Sequence, residues 1–67
     1  MSVAKVSEIT ASSPKSFDDA IKAGLDRANK TLQNVTAAWI QDQEVAVENG
    51  NITEYRVRMK ITFILKD

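Results

Sequence analysis

The fold is decided by residues 45–65, which have the sequence VAVENGNITEYRVRMKITFIL. At the start of this stretch lies Asn49-Gly50, the strongest short signal for a two-residue β-turn, because both positions tolerate a positive φ. From Tyr55 to Leu65, every second residue is apolar, and cations fill most of the positions between them up to Lys60. The sequence therefore predicts a β-hairpin with strands at 36–48 and 52–65, whose odd-numbered side chains in the second strand face a helix.

The two-residue turn also predicts how the two strands pair. It places Glu48 opposite Asn51 and Val47 opposite Ile52, and further along it places Gln43 opposite Arg56, Gln41 opposite Arg58 and Trp39 opposite Lys60. A face of this composition is too apolar for plain solvent surface and too polar for a core, which favours an interface or a ligand surface. The residues predicted on this helix-free face are Trp39, Gln41, Gln43, Val45 and Val47, beside Arg56, Arg58 and Lys60.

Upstream of the hairpin, the sequence predicts a short strand and a helix. The strand spans Val3–Thr10, and Pro14 lies in the break that follows. The helix begins at Ser16, whose hydroxyl can accept a hydrogen bond from the Asp19 N–H, and Asn34 can end it in a left-handed conformation. Gly24 lies on the apolar stripe of the helix and predicts close approach of the sheet. That stripe consists of Phe17, Ala20, Ile21, Gly24, Leu25, Ala28 and Leu32.

These elements follow one another in the order β-α-β-β. The predicted fold class is α+β, with a three-stranded antiparallel sheet, one helix packed on one face and the first strand paired with the last. Residues 1–67 are expected to form a single domain. Because a chain of 67 residues builds only a small core, we expect further copies to cover the open side of the sheet.

Composition excludes several function classes. The chain has 43% hydrophobic and 27% charged residues, and its nine cations balance nine acidic residues. Zero net charge argues against binding to nucleic acid or to a membrane surface. The absence of Cys and His removes disulfides, the usual zinc sites and most hydrolase chemistry. No apolar run is long enough to span a bilayer and no signal-peptide pattern is present, so a cytoplasmic protein that is not an enzyme is expected.

The ordered set of short motifs resembles the dodecins, small β-α-β-β proteins that assemble as hollow dodecamers and commonly bind flavins. The resemblance covers nearly the whole chain, and it depends on the order and spacing of the motifs because no single one is diagnostic. The matching residues are Val6-Ser7-Glu8-Ile9 and Ser12-Ser13-Pro14; Arg27-Ala28, Lys30-Thr31-Leu32 and Asn34; and Tyr55-Arg56-Val57, Lys60, Phe63, Leu65 and Asp67.

The resemblance implies a flavin (FMN, FAD or riboflavin) as the usual cargo. Flavin-binding members stack a Trp on the ring, and Ala37 stands at that position here, with Trp39 two residues further on the same face. Arg56 stands where the family has a Gln that hydrogen-bonds the flavin edge; a guanidinium only donates. The predicted cofactor-binding residues are Ala37, Trp39, Gln43 and Arg56, with no catalytic residues.

Two alternatives to flavin binding remain open from the sequence. Some relatives that lack the stacking Trp are associated with calcium or other divalent ions such as magnesium, and Asp42 matches an acidic position of the family near the openings of the assembly. Asp42 and Glu44 are the predicted metal ligands, and Glu48 and Glu54 offer further oxygens. The other alternative is a purely structural homo-oligomer that binds no ligand, or an adaptor whose surface recruits a protein partner.

Overall fold

A computed structural model describes residues 3–65, which form a three-stranded antiparallel sheet and one helix. The elements are β1 (Val3–Ser13), α1 (Phe17–Thr31), β2 (Val35–Glu48) and β3 (Asn51–Leu65). Strand β3 lies in the centre, in the order β1-β3-β2. The predicted α+β class and the pairing of the first strand with the last are confirmed. Residues 1, 2, 66 and 67 lie outside the described part, including Asp67 of the family resemblance and the ends of the predicted domain.

Helix α1 begins as predicted. The Ser16 hydroxyl accepts from the Asp19 N–H at 3.0 Å, so Ser16 is the N-cap. The Asp19 carboxylate accepts a hydrogen bond from the hydroxyl of Ser13 at 2.6 Å, which ties the first turn of the helix to the end of β1. Ser13 is 3% exposed and is the last residue of β1, which therefore runs three residues beyond the predicted end at Thr10.

The core lies between α1 and the odd-numbered side of β3. Val57, Met59 and Ile61 are fully buried, as the alternation predicts. A Cβ built on Gly24 would lie 2.5 Å from Met59 Cε and 3.0 Å from Ala11 Cβ, which confirms the predicted close approach of helix and sheet. Partly buried side chains from β1, α1 with its C-cap Leu32, and β2 complete this small core: Ile9, Ala11, Phe17, Ile21, Leu25, Leu32, Val35, Ala38 and Ile40.

The turn of the hairpin follows the prediction, but the strand pairing does not follow it throughout. Asn49 and Gly50 have φ values of 52° and 79°, as a tight two-residue turn requires. Glu48 pairs with Asn51 and Val47 with Ile52, both as predicted. The pairing then shifts by one residue between Ala46 and Val47, because Thr53 is left without a partner in the ladder.

A second bulge, at Gln41, reverses this shift. Between the two bulges Gln43 pairs with Val57 and Asp42 pairs with Arg58, so the predicted pairs of Gln43 with Arg56 and of Gln41 with Arg58 are wrong. Beyond Gln41 the original register returns, and Trp39 pairs with Lys60 as predicted; a third shift, between Val35 and Ala37, lies at the start of β2. The two insertions lie on opposite strands, which is why their effects on the register cancel.

The corrected register also changes which side chains share a face. Because directly paired residues point to the same side of a sheet, Gln43 lies on the side of buried Val57, and Val45 lies on the side of Tyr55. Val47 follows Val45 on that side by the two-residue period. The prediction that Gln43, Val45 and Val47 lie on the helix-free face is therefore wrong.

The hairpin extends well beyond the helix. The Cα positions extend over 51 Å in the longest direction and 13 Å in the shortest. A helix of 15 residues covers only about 22 Å of that length. Strand β1 ends opposite Tyr55, so residues 46–54 form a two-stranded arm in which Val47 and Ile52 are 62% and 52% exposed. A two-stranded hairpin is marginally stable in water on its own, so this arm is expected to need a partner surface.

Candidate functional site

The sheet face opposite α1, called the open face below, carries the even-numbered residues of β3 and the residues that pair with them. Arg56, Arg58 and Lys60 form its central row. Strand β2 contributes one flank, with Ala37 and Trp39 near one end and the two carboxylates of Asp42 and Glu44 nearer the arm. Strand β1 contributes the other flank, which consists of Ala4, Val6, Glu8, Thr10 and Ser12.

Trp39 is the largest exposed apolar group of the open face. Its exposed fraction is 61%, which is high for a residue type that usually buries its ring. The Lys60 ammonium lies 5.3 Å from the centroid of the indole, within the range of a cation–π contact. The rest of the ring remains accessible to a flat partner.

Arg58 joins both acidic residues of the neighbouring strand. Its Nη1 donates to Asp42 Oδ1 at 2.8 Å, and its Nη2 donates to Glu44 Oε1 at 3.1 Å. The hydrogen bond to Asp42, followed by the negative charges of Asp42 and Glu44, raises the pKa of Arg58 above its ordinary value. The two carboxylates therefore favour the charged form of the guanidinium.

Arg56 has its own acidic partner. Its Nε donates to Glu54 Oε1 at 2.7 Å, and this hydrogen bond is the largest cause of the raised pKa of Arg56. Because all five N–H groups of a guanidinium are donors, Arg56 can offer a ligand further hydrogen bonds but can accept none.

The structure places three of the predicted cofactor-binding residues on one face and the fourth on the other. Ala37, Trp39 and Arg56 share the open face, whereas Gln43 lies on the other side of the sheet. Arg56 lies apart from Trp39, because it is four residues, about 13 Å, along β3 from the Lys60 that pairs with Trp39. The predicted metal ligands Asp42 and Glu44 lie together, with one oxygen of each accepting from Arg58. The sequence analysis did not find this fork, since it depends on the register shift that the bulge at Thr53 introduces between the turn and Asp42.

Two kinds of feature are absent from the part of the chain that the structure describes. Within residues 3–65, no group of three or more acidic, His or Cys side chains is arranged to hold a metal ion. The helix of this segment falls short of the length and apolarity needed to cross a membrane.

A groove of about 540 Å³ between β1 and α1 was also not found by the sequence analysis. The groove is lined by Gly24 and Ala28 on the helix and by Ile9 and Ala11 on the strand. Arg27 is the only charged residue that lines it. Its lining is formed by α1 and the free edge of β1, so it is separate from the Trp39 side of the open face.

These features define a class of small α+β domains in which one helix covers one side of a short sheet and leaves the other side open. Residues 3–66 match the family model of Dodecin, and the chain belongs to that family.

Solved dodecin structures agree with this assignment over the whole fold. The dodecin from Streptomyces davaonensis is 30% identical, with a TM-score of 0.94 over 98% of this chain and 97% of that one. A mutant of the T. thermophilus dodecin is 27% identical, with a TM-score of 0.94 over 100% of both chains.

A curated relative is named for a metal. Calcium dodecin from Mycobacterium tuberculosis is 29% identical over 66 residues, which is 98% of this chain and 93% of that protein. Its crystal structure, described as having a novel calcium-binding site, gives a TM-score of 0.83 over 96% of this chain and 91% of that one.

Proposed function

We propose that the chain assembles into a hollow homo-oligomer, a dodecamer by likeness to its family, that binds, stores or buffers a small flat ligand at its subunit interfaces. The first candidate ligand is a flavin: riboflavin, FMN or FAD. The observation that carries this proposal is the exposed indole of Trp39 on a sheet face that the chain's own helix does not cover.

The open face fits such a ligand in part. Stacking on an indole adds about 0.5–1.5 kcal/mol to what area burial alone contributes, and symmetry could bring two copies of Trp39 together around one ring. Arg56 supplies donors only, so the paired donor and acceptor of a Gln amide are missing. A ligand with acceptor atoms on its edge, such as the carbonyl groups of a flavin, is compatible with this arrangement.

Assembly is supported by apolar surface that one chain leaves open. Val6 lies on the open face, and Val47 and Ile52 lie on the arm; all three are more than half exposed. Because a chain of this size has few fully buried side chains, covering these residues with sister chains would add to its stability. A homo-oligomer satisfies this requirement with a single kind of chain.

Riboflavin is the sharpest probe of the ligand, because it has the flavin ring without a phosphate. We expect its fluorescence to be quenched by micromolar wild-type protein, and the quenching to be lost in Trp39→Leu, which keeps an apolar side chain but removes the flat ring. Lys60→Met is the matched control, since it removes the cation beside the indole and leaves the ring. Absence of quenching by the wild type would contradict flavin binding.

A divalent cation is the second candidate, supported by the relative named calcium dodecin. In this proposal Asp42 and Glu44 would contribute oxygens from several copies around an opening of the assembly, because calcium takes six to eight oxygen ligands. The test compares thermal unfolding in calcium or magnesium with unfolding in EDTA. Equal melting temperatures would argue against it, and an assembly that responds to neither flavin nor cation would be a structural oligomer.

A further inference from the structure

We propose that Arg58 is a built-in cation that occupies the carboxylate pair of Asp42 and Glu44, and that it keeps divalent ions from this position on the open face. The proposal opposes the second candidate function above, because it names a residue of this chain that denies Asp42 and Glu44 to a metal ion in the wild type.

The partners of Arg58 depend on the bulge at Thr53. Without this bulge, the register set by the turn would place Gln41 opposite Arg58. The extra residue in β3 instead brings Asp42 opposite Arg58, and Glu44 follows on the same face two positions along β2, before the bulge at Gln41 restores the original register. The two oxygens then meet two different nitrogens of one guanidinium, at 2.8 and 3.1 Å. The planar fork of Arg suits this arrangement, whereas Lys offers a single point of charge.

Arg58 takes up half of the oxygens that the two carboxylates could offer to a metal ion. Calcium takes six to eight oxygens, and two carboxylates provide at most four. One oxygen of each already accepts from Arg58. A divalent ion bound to the other two oxygens would lie next to the guanidinium, where like charges repel each other.

The surroundings of Arg58 supply neutral oxygen ligands as well. On the β1 side Thr10 pairs with Arg58 and shares the open face, and Ser12 follows two positions along. Of the other acidic residues on the open face, Glu54 is held by Arg56, and Glu8 lies two positions from Thr10 along β1, opposite Lys60. Removing the guanidinium therefore leaves two carboxylates on β2 that face these oxygen groups across the central strand, about 10 Å away. Carboxylate and hydroxyl oxygens are the kind of ligand that calcium and lanthanide ions prefer.

The experiment uses terbium and calcium on the full chain in its assembled form. Trp39 lies three residues from Asp42 along β2, about 10 Å, so excitation of the indole can sensitise a terbium ion bound at the pair. We expect Arg58→Met to bind terbium at least tenfold more tightly than the wild type, and to melt at a higher temperature in calcium than in EDTA. Arg56→Met is the matched control: it removes a neighbouring guanidinium from the same strand and face, and should gain neither property.

Two outcomes would overturn the proposal. One is an Arg58→Met protein that gains no terbium binding, or whose gain survives the additional change Asp42→Asn. The second outcome requires no Arg58 variant. If the wild type binds terbium saturably and Asp42→Asn abolishes this binding, then Arg58 does not keep cations out. Riboflavin quenching by the same wild-type sample reports separately on the proposed flavin function, so either idea can fail without the other.

Discussion

Gly24 is the residue at which the helix and the sheet come closest. The apolar stripe indicated this position from sequence because a glycine there is costly in a helix unless space is short. The atoms that crowd it, Met59 Cε and Ala11 Cβ, come from two different strands. Sequence alone could not identify them, because they depend on how the helix packs across β1 and β3.

Gly24→Ala should destabilise the protein by about 1 kcal/mol. Overpacking a core costs about 1–3 kcal/mol, and the better helix propensity of Ala recovers about 1 kcal/mol of this. The check is chemical unfolding at fixed protomer concentration, because the stability of an assembly depends on concentration. In a Met59→Leu background, which lacks the Cε atom, the penalty should shrink; an equal penalty in both backgrounds would mean that Met59 is not the obstacle.

Trp39 and Arg58 show how far the candidate site could be predicted at the residue scale. Trp39 lies on the open face as predicted, because the effects of the two bulges cancel before the chain reaches it. The partners of Arg58 were predicted wrongly, because residues 41–44 are polar at every position and no alternation marks which of them face the helix side.

At the scale of elements, local signals were sufficient for the start of the helix and for the turn. Asn34 is left-handed, with a φ of 62°, but it does not end the helix as predicted: the helix stops at Thr31 with Leu32 as its C-cap. Ser16 caps the other end, and the Asn49-Gly50 turn has positive φ at both residues. The Ser16 cap and the turn each depend on neighbours within a few residues. The end of β1 and the bulges depend on pairing between distant strands, and their sequences look no different from regular strand or loop.

The turn offers a prediction free of packing effects. A Cβ added at Gly50 meets nothing within 4 Å, so the cost of Gly50→Ala comes from its φ of +79° alone. We expect a loss of about 1 kcal/mol in the free energy of unfolding. Asn49→Asp is the control, since Asp tolerates a positive φ, and it should change stability by less than about 0.5 kcal/mol. A neutral Gly50→Ala would show that the turn can change its type.

At the scale of the whole molecule, the elongated shape is the main departure from an ordinary small domain. The radius of gyration is 13.8 Å, whereas a compact chain of this length is expected to have about 11 Å. The excess comes from the arm of residues 46–54, which reaches past the helix and leaves Val47 and Ile52 exposed. The alternation predicted two long strands, but their overhang follows from the pairing with β1.

If sister chains cover the arm, a charge at Ile52 should weaken the assembly. We expect Ile52→Lys to shift the mass measured by light scattering from the oligomer toward smaller species, since burying an unpaired ammonium is costly. Lys22→Glu is the control, because it changes charge on a side chain of α1 that is 77% exposed. An unchanged mass for Ile52→Lys would place the contacts between copies elsewhere.

The paired bulges at Gln41 and Thr53 also constrain how this chain can change length during evolution. Loss of either residue alone would leave one uncompensated step in the ladder, and the strand beyond it would present its core side chains to the outside. Loss of both residues would leave the side chains at the two ends of the hairpin on their present faces of the sheet. Only the side chains between the two positions would change face. Relatives of this chain are therefore expected to gain or lose these two positions together, as a correlated pair of single-residue insertions on opposite strands.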